Sequence, residues 1–95
     1  MIIIDRRREG LKKFQYEVVN PQGIHAAPAS LLVNEFNKFH CNVIIEKGKK
    51  VIDGKDIFAL MGLNIKQNDT IVVTFEGKEE NEAVKAVERL LKENL

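Results

Sequence analysis

The sequence predicts an α+β domain, an open-faced sandwich in which a four-stranded antiparallel sheet carries three helices on one face. Strand-like and amphipathic segments alternate in the order β-α-β-β-α-β-α. Turn signals at Asn20-Pro21-Gln22-Gly23, Gly48 and Gly77 leave little chain for linkers. The 95 residues suffice for one core, and no repeat, low-complexity tract or Pro/Gly/Ser-rich linker divides them. Elements this close together pair antiparallel and collect their helices on one side, leaving the other sheet face largely solvated.

The elements follow in order. Met1-Ile2-Ile3-Ile4 is apolar but separated from the next periodic segment by charges and Gly10. An edge strand, docking on the domain and a frayed terminus are all open to it. From Phe14, the alternation of Phe14, Tyr16 and Val18 with Gln15 and Glu17 marks a half-buried strand. A helix is expected from about Ala26 to Phe39. It buries Leu32, Phe36 and Phe39 beside Ala29 and Val33, and turns Asn34, Glu35, Asn37 and Lys38 to water. Asn42 to Glu46 reads as a second strand, and Lys50 to Ile52 starts a third across a hairpin at Gly48. Ile57 to Leu63 is a short helix with Asp56 as N-cap and Gly62 near its end. Asp69 to Glu76 supplies a fourth strand. The last helix, from about Glu80 to Leu95, buries Val84, Val87 and Leu91, flanked by Ala83 and Leu90. Glu79, Glu80 and Glu82 suit its positive start, and Glu88–Lys92 is a favourable pair.

Composition excludes several classes of function. Hydrophobic residues make up 44% and charged residues 31%, as in a soluble globular domain, and the formal charge of +1 creates no global field towards nucleic acid or membrane. The charge is uneven: residues 1–13 carry +3 and the remainder −2, so 1–13 reads as a basic extension to a domain of residues 14–95. The single cysteine, Cys41, can form no internal disulfide and reads as a small, semi-buried filler; His40 reads as a helix-end residue. Two histidines and one cysteine make no metal site, and no cofactor motif is present. With no apolar run of membrane-spanning length and no signal-peptide pattern, the expected compartment is the cytoplasm.

The chemistry concentrates in Gly23-Ile24-His25-Ala26-Ala27-Pro28. The run sets one imidazole at a helix start, directly after a turn, and Pro28 suits the first helical turn. Unpaired N–H groups and the positive helix end there favour an anion. A nucleophilic ring nitrogen beside an anion site suits a phosphoryl group that is picked up and passed on. An ordinary turn histidine next to a capped helix fits the same spacing, and on spacing alone both readings stand.

From Phe14 onward the sequence resembles the HPr family, the histidine-containing phosphocarriers of the bacterial sugar phosphotransferase system. The likeness rests on the order of elements, on Pro21-Gln22-Gly23-Ile24-His25-Ala26-Ala27-Pro28-Ala29, and on Lys55-Asp56-Ile57-Phe58-Ala59-Leu60-Met61-Gly62-Leu63 at an unbroken separation, with Glu76-Gly77 before a final helix. The resemblance implies that His25 accepts a phosphoryl group on Nδ1. It would come from phosphoenolpyruvate through enzyme I and pass to IIA sugar-permease components. The backbone N–H groups of Ala26 and Ala27 would hold phosphoryl oxygens. An ordinary imidazole, with a pKa of ~6.5, is largely neutral and nucleophilic at cytoplasmic pH. Helix-terminus stabilisation of an anion is on the order of 0.3–2 kcal/mol, weak enough to let the group leave again. The resemblance also implies an apolar docking patch of Ala26, Ile57, Phe58 and Met61, while helical spacing puts Leu60 and Leu63 in the core. A monomer is expected, with a transcriptional regulator as a further type of partner.

Two residues depart from the family pattern. Ala27 stands where the motif usually has an arginine, a positive charge for the transferring group. Losing such a donor costs roughly 2–4 kcal/mol by analogy with oxyanion-type donors. Arg6, Arg7 or Arg8 offers one replacement; a solvated basic tail is the other use of the same residues. Asp56 stands where Gram-positive relatives have a serine phosphorylated by HPr kinase, so that control is not expected here. Asp56 is either a helix cap or a standing negative charge in the place of a phosphoserine. Carrier and binding-only regulatory paralogue are therefore the two leading functions. A nucleic-acid module is disfavoured by the absence of tryptophan and the single tyrosine, and a stand-alone enzyme by the lack of a second acid/base group or nucleophile pair.

Overall fold

A computed structural model describes residues 2–5 and 11–95. The elements are β1 (Ile2–Asp5), β2 (Leu11–Glu17), α1 (Ala26–Phe36), β3 (Cys41–Lys47), β4 (Lys50–Asp53), α2 (Ile57–Gly62), β5 (Thr70–Gly77) and α3 (Glu80–Asn94). All pairings are antiparallel, in the order β1-β2-β5-β3-β4. The expected four-stranded open sheet is β2-β5-β3-β4, and the helices cover one face of it. Ile2–Asp5 takes the edge-strand option, pairing Ile2 with Tyr16 and Asp5 with Lys13.

The register explains why only one face is covered. Phe14 of β2 stands opposite Val73 of β5, Val73 opposite Ile45 of β3, and Ile45 opposite Ile52 of β4. Three of these side chains are buried and Ile52 packs against them. Because strand side chains alternate with period 2, the next row turns to the open face. That row is Lys13, Thr74, Ile44 and Asp53. Leu32 and Phe36 from α1, Leu60 from α2 and Val84, Val87 and Leu91 from α3 close the core over the covered face. Phe75 stacks on Phe14 at 5.9 Å and meets the edge of Phe36 at 6.0 Å, an arrangement favoured by the ring quadrupoles. Tyr16 donates its buried hydroxyl to the Leu91 carbonyl at 3.2 Å, tying β2 to α3, and burial raises its pKa.

Several boundaries move from those expected. The first helix stops at Phe36, not Phe39. Asn37 N–H and Asn37 Nδ2 both donate to the Val33 carbonyl, and Lys38 and Phe39 then donate three residues back, to Glu35 and Phe36. The chain tightens into turns that satisfy the last carbonyls of α1. Phe39 still packs against the core, but from outside the helix. Glu35 is half-buried and pairs with Lys38 at 2.9 Å. Lys12 and Lys13, grouped above with the extension, lie in β2 opposite Phe75 and Thr74. The Glu88–Lys92 pair forms at 3.3 Å.

Candidate functional site

Gly23 sets the geometry of the site. Its φ of +66° is the left-handed conformation that glycine adopts without strain, and a Cβ there would run into the Ile65 carbonyl oxygen and come within 2.7 Å of Lys66 Cα. The absent side chain lets the turn lie against the segment that follows α2. The Ile24 N–H then donates to the Ile65 carbonyl at 3.0 Å, and the Ile24 side chain is buried. His25 comes next, exposed and extended (φ −109°, ψ −167°), as the N-cap of α1.

The first turn of α1 is bare. The His25 side chain makes no capping bond, and the first turn carries no acidic residue. The His25 carbonyl accepts the Ala29 N–H at 2.9 Å, the first bond of the helix. The N–H groups of Ala26 and Ala27 precede that bond, and Pro28 has none, so two donors remain at the positive end of an 11-residue helix. Both alanines are exposed.

Helix α2 runs antiparallel beside α1. Lys55 donates its ammonium to the Phe39 carbonyl at 2.9 Å, joining the entry of α2 to the exit of α1. At the other end, the Ile24–Ile65 bond joins the exit of α2 to the entry of α1. Asp56 caps α2: its carboxylate accepts from Phe58 N–H at 3.0 Å and Ala59 N–H at 3.1 Å. Leu60 is fully buried, so the opposite side of this short helix faces out. Phe58 is 83% and Met61 43% exposed, while Ile57 is half-buried against the core. An aromatic ring and a thioether are thus exposed together on one helix.

Sequence reasoning did not single out two features. Leu31, four residues after Ala27, is a 45% exposed apolar side chain on the outer side of α1; its helical spacing was the available signal. The other is Lys47. Its ammonium donates to the Leu63 and Asn64 carbonyls, each at 3.0 Å, and pairs with Asp69 at 3.2 Å. Asp69 also accepts the Lys66 N–H at 2.8 Å. That backbone bond first, and the Lys47 contact second, hold its carboxyl below the usual range. Arg6, Arg7 and Arg8 lie outside the described residues. Of their described neighbours, Asp5 pairs with Lys13 of β2, and Leu11 stands at the end of that strand away from Glu17, about 20 Å at ~3.4 Å per residue. Among the described residues there is no group of three or more His, Cys, Asp and Glu able to hold a metal ion, and no helix is long and apolar enough to cross a membrane. Burial pushes the Cys41 thiol up, only partly opposed by nearby Lys55.

Comparison with known proteins places this fold in a family. A family model described as the PTS HPr component phosphorylation site matches residues 12–93. The chain belongs to the HPr family. The phosphocarrier protein HPr of Mycoplasma pneumoniae is 41% identical over 85 residues, 88% of this chain and 97% of that protein. The HPr-like protein Crh of Halalkalibacterium halodurans is 41% identical over 73 residues, 77% of this chain and 87% of its own. Among solved structures, the HPr of Bacillus anthracis str. Ames aligns with a TM-score of 0.80 at 32% identity, covering 87% of this chain and 99% of that one. The open-faced sandwich is thus the HPr fold, and β1 lies outside the residues that the family model matches.

Proposed function

We propose that this HPr-family protein is a phosphoryl carrier that loads on His25. The observation that carries the reading is the exposed His25 ring at the N-cap of α1, beside the two free backbone donors of Ala26 and Ala27. A lone pair on a ring nitrogen, Nδ1 by the family resemblance, forms the new N–P bond. The bond to the donor breaks, and its electron pair returns to the donor. The Ala26 and Ala27 N–H groups and the helix dipole receive phosphoryl oxygens, and delivery reverses the step onto a second protein. By the same resemblance the donor is enzyme I, charged by phosphoenolpyruvate, the acceptors are IIA components, and the carrier works as a cytoplasmic monomer. Ile57, Phe58, Met61 and Ala26 serve as the docking patch for each partner in turn.

The test is direct. Incubation with enzyme I and labelled phosphoenolpyruvate should give one acid-labile, base-stable phosphate per chain, absent from His25→Ala. Failure with several enzyme I proteins would overturn the reading. Ala27 favours a second one, because the cation usual at that position is missing: a regulatory paralogue that binds partners such as a transcriptional regulator without transferring phosphate. Binding by an unphosphorylatable wild-type protein would select it.

A further inference from the structure

We propose that Lys47 is a positioning residue for His25, acting through the clasp that its ammonium makes with the Leu63 and Asn64 carbonyls and the Asp69 carboxylate. The inference deepens the carrier reading and rests on it.

His25 is seated by backbone alone. Its side chain caps nothing, and the residue before it is fixed by the Ile24–Ile65 bond and by the close approach of Gly23 to Ile65 and Lys66. The wall on which Gly23 and Ile24 rest, just ahead of His25, is therefore residues 65 and 66, entered through Asn64. That wall belongs to no helix or strand, and its backbone takes a left-handed conformation at Asn64 (φ 53°) and again nearby at Asn68 (φ 74°). Buried Ile65 anchors its middle, and Lys47 braces the backbone on either side. From the end of β3 one ammonium holds the last residues of the α2 exit and the carboxylate that opens β5, using three donors on three acceptors. Asp69 completes the loop by accepting the Lys66 N–H, one residue from the carbonyl that receives Ile24. The path from Lys47 to His25 is thus Lys47, residues 63–66, Ile24, His25, with a hydrogen bond or peptide link at every step.

A lysine that only caps α2 would stabilise the fold and leave transfer untouched. A lysine that fixes the wall must also fix where the ring nitrogen meets the incoming phosphorus, and transfer is steeply sensitive to such placement. Single-turnover transfer from phosphorylated enzyme I, run over a range of carrier concentrations, separates the two. For Lys47→Met, at a temperature where a melting curve shows it folded, the saturating rate should fall about 10–100-fold. The half-saturating concentration should change by no more than about twofold, since Phe58 and Met61 are untouched. Lys47→Arg, which keeps the charge and several donors, should restore most of the rate.

Amide hydrogen exchange supplies a readout that needs no phosphate. The Ile24 amide should exchange on the order of tenfold faster in Lys47→Met, beyond any change at the central β5 amides. An unchanged saturating rate in folded Lys47→Met would overturn the proposal, as would equal loss in Lys47→Arg or Ile24 exchange that merely follows β5. If wild type accepts no phosphoryl group, the carrier reading falls, and Ile24 exchange alone still shows whether the clasp holds the wall.

Discussion

Replacing Gly23 by alanine tests how the site is held together, and Gly48 provides its control. Both glycines are left-handed, with φ of +66° and +60°. Any L-residue there bears strain of about 1–2 kcal/mol, offset by ~0.4–1 kcal/mol from a less flexible unfolded chain. Those two effects are common to both positions and leave a net cost of about 0–1.5 kcal/mol. The surroundings differ. Nothing lies within 4 Å of a Cβ at Gly48, whereas at Gly23 it meets the backbone of Ile65 and Lys66. Backbone cannot rotate aside as a side chain can, so overpacking adds about 1–3 kcal/mol at Gly23 alone. If the turn instead moves away, the Ile24–Ile65 bond stretches, at ~0.5–1.5 kcal/mol. Gly23→Ala should therefore lose about 1–4.5 kcal/mol and Gly48→Ala at most ~1.5 kcal/mol. Urea unfolding followed by circular dichroism measures both, given the two-state behaviour usual in domains of this size. Thermal midpoints should differ by on the order of 10 °C, at ~4–8 °C per kcal/mol. Equal losses in the two variants, within ~0.5 kcal/mol, would refute the close seating of the turn on residues 65 and 66.

Three further outcomes are expected. Ala27→Arg, which restores a cation beside the phosphoryl position, should speed transfer by roughly 10²–10³ in rapid-quench assays. Asp56→Ala should destabilise by ~0.5–2 kcal/mol by unfolding, since two N–H groups lose their acceptor, whereas Asp56→Ser should cost less than ~1 kcal/mol. Calorimetry should also show the serine variant binding enzyme I more tightly, most clearly at low salt, if that partner presents an acidic surface to α2. Asp69 ties stability to acid: its carboxyl is held low in the native state, so the stability it adds is present above the unfolded value of ~3.9 and is lost as pH falls through the native one. The stability difference between wild type and Asp69→Asn should therefore shrink on acidification, as urea titrations at several pH values would reveal.

The sequence was most legible where burial alternates with simple period. The alternation of Phe14, Tyr16 and Val18 predicts one inward row, and all three are buried. The position of Asp56 before an apolar run predicts an N-cap, and its carboxylate accepts two N–H groups. Phe39 shows the limit of periodicity, which reports burial and is silent on hydrogen bonding. Phe39 keeps helical spacing from Leu32 and Phe36, yet the helix has already closed through Asn37. Met1–Ile4 left three fates open because edge pairing is decided by a partner strand elsewhere in the chain. His25 was legible through Gly23 and Pro28, which need a turn and a helix start. Lys47 was not, since two of its acceptors are backbone carbonyls, which every residue has, 16 and 17 positions away.

The bareness of the His25 ring bears on the energetics of a carrier. Among the described residues nothing bonds to the imidazole, so an arriving phosphoryl group would have no native interaction to displace. Had the ring capped α1 or gripped a carboxylate, loading would have strained the fold, and the reactive N–P bond would have shared its free energy with the protein. With a disengaged ring, loading would alter the folded state only through the contacts of phosphoryl oxygens at the helix start, on the order of 0.3–2 kcal/mol. Most of the free energy of the N–P bond would then pass from donor to acceptor, and the direction of flow would be left to the concentrations of the proteins at either end.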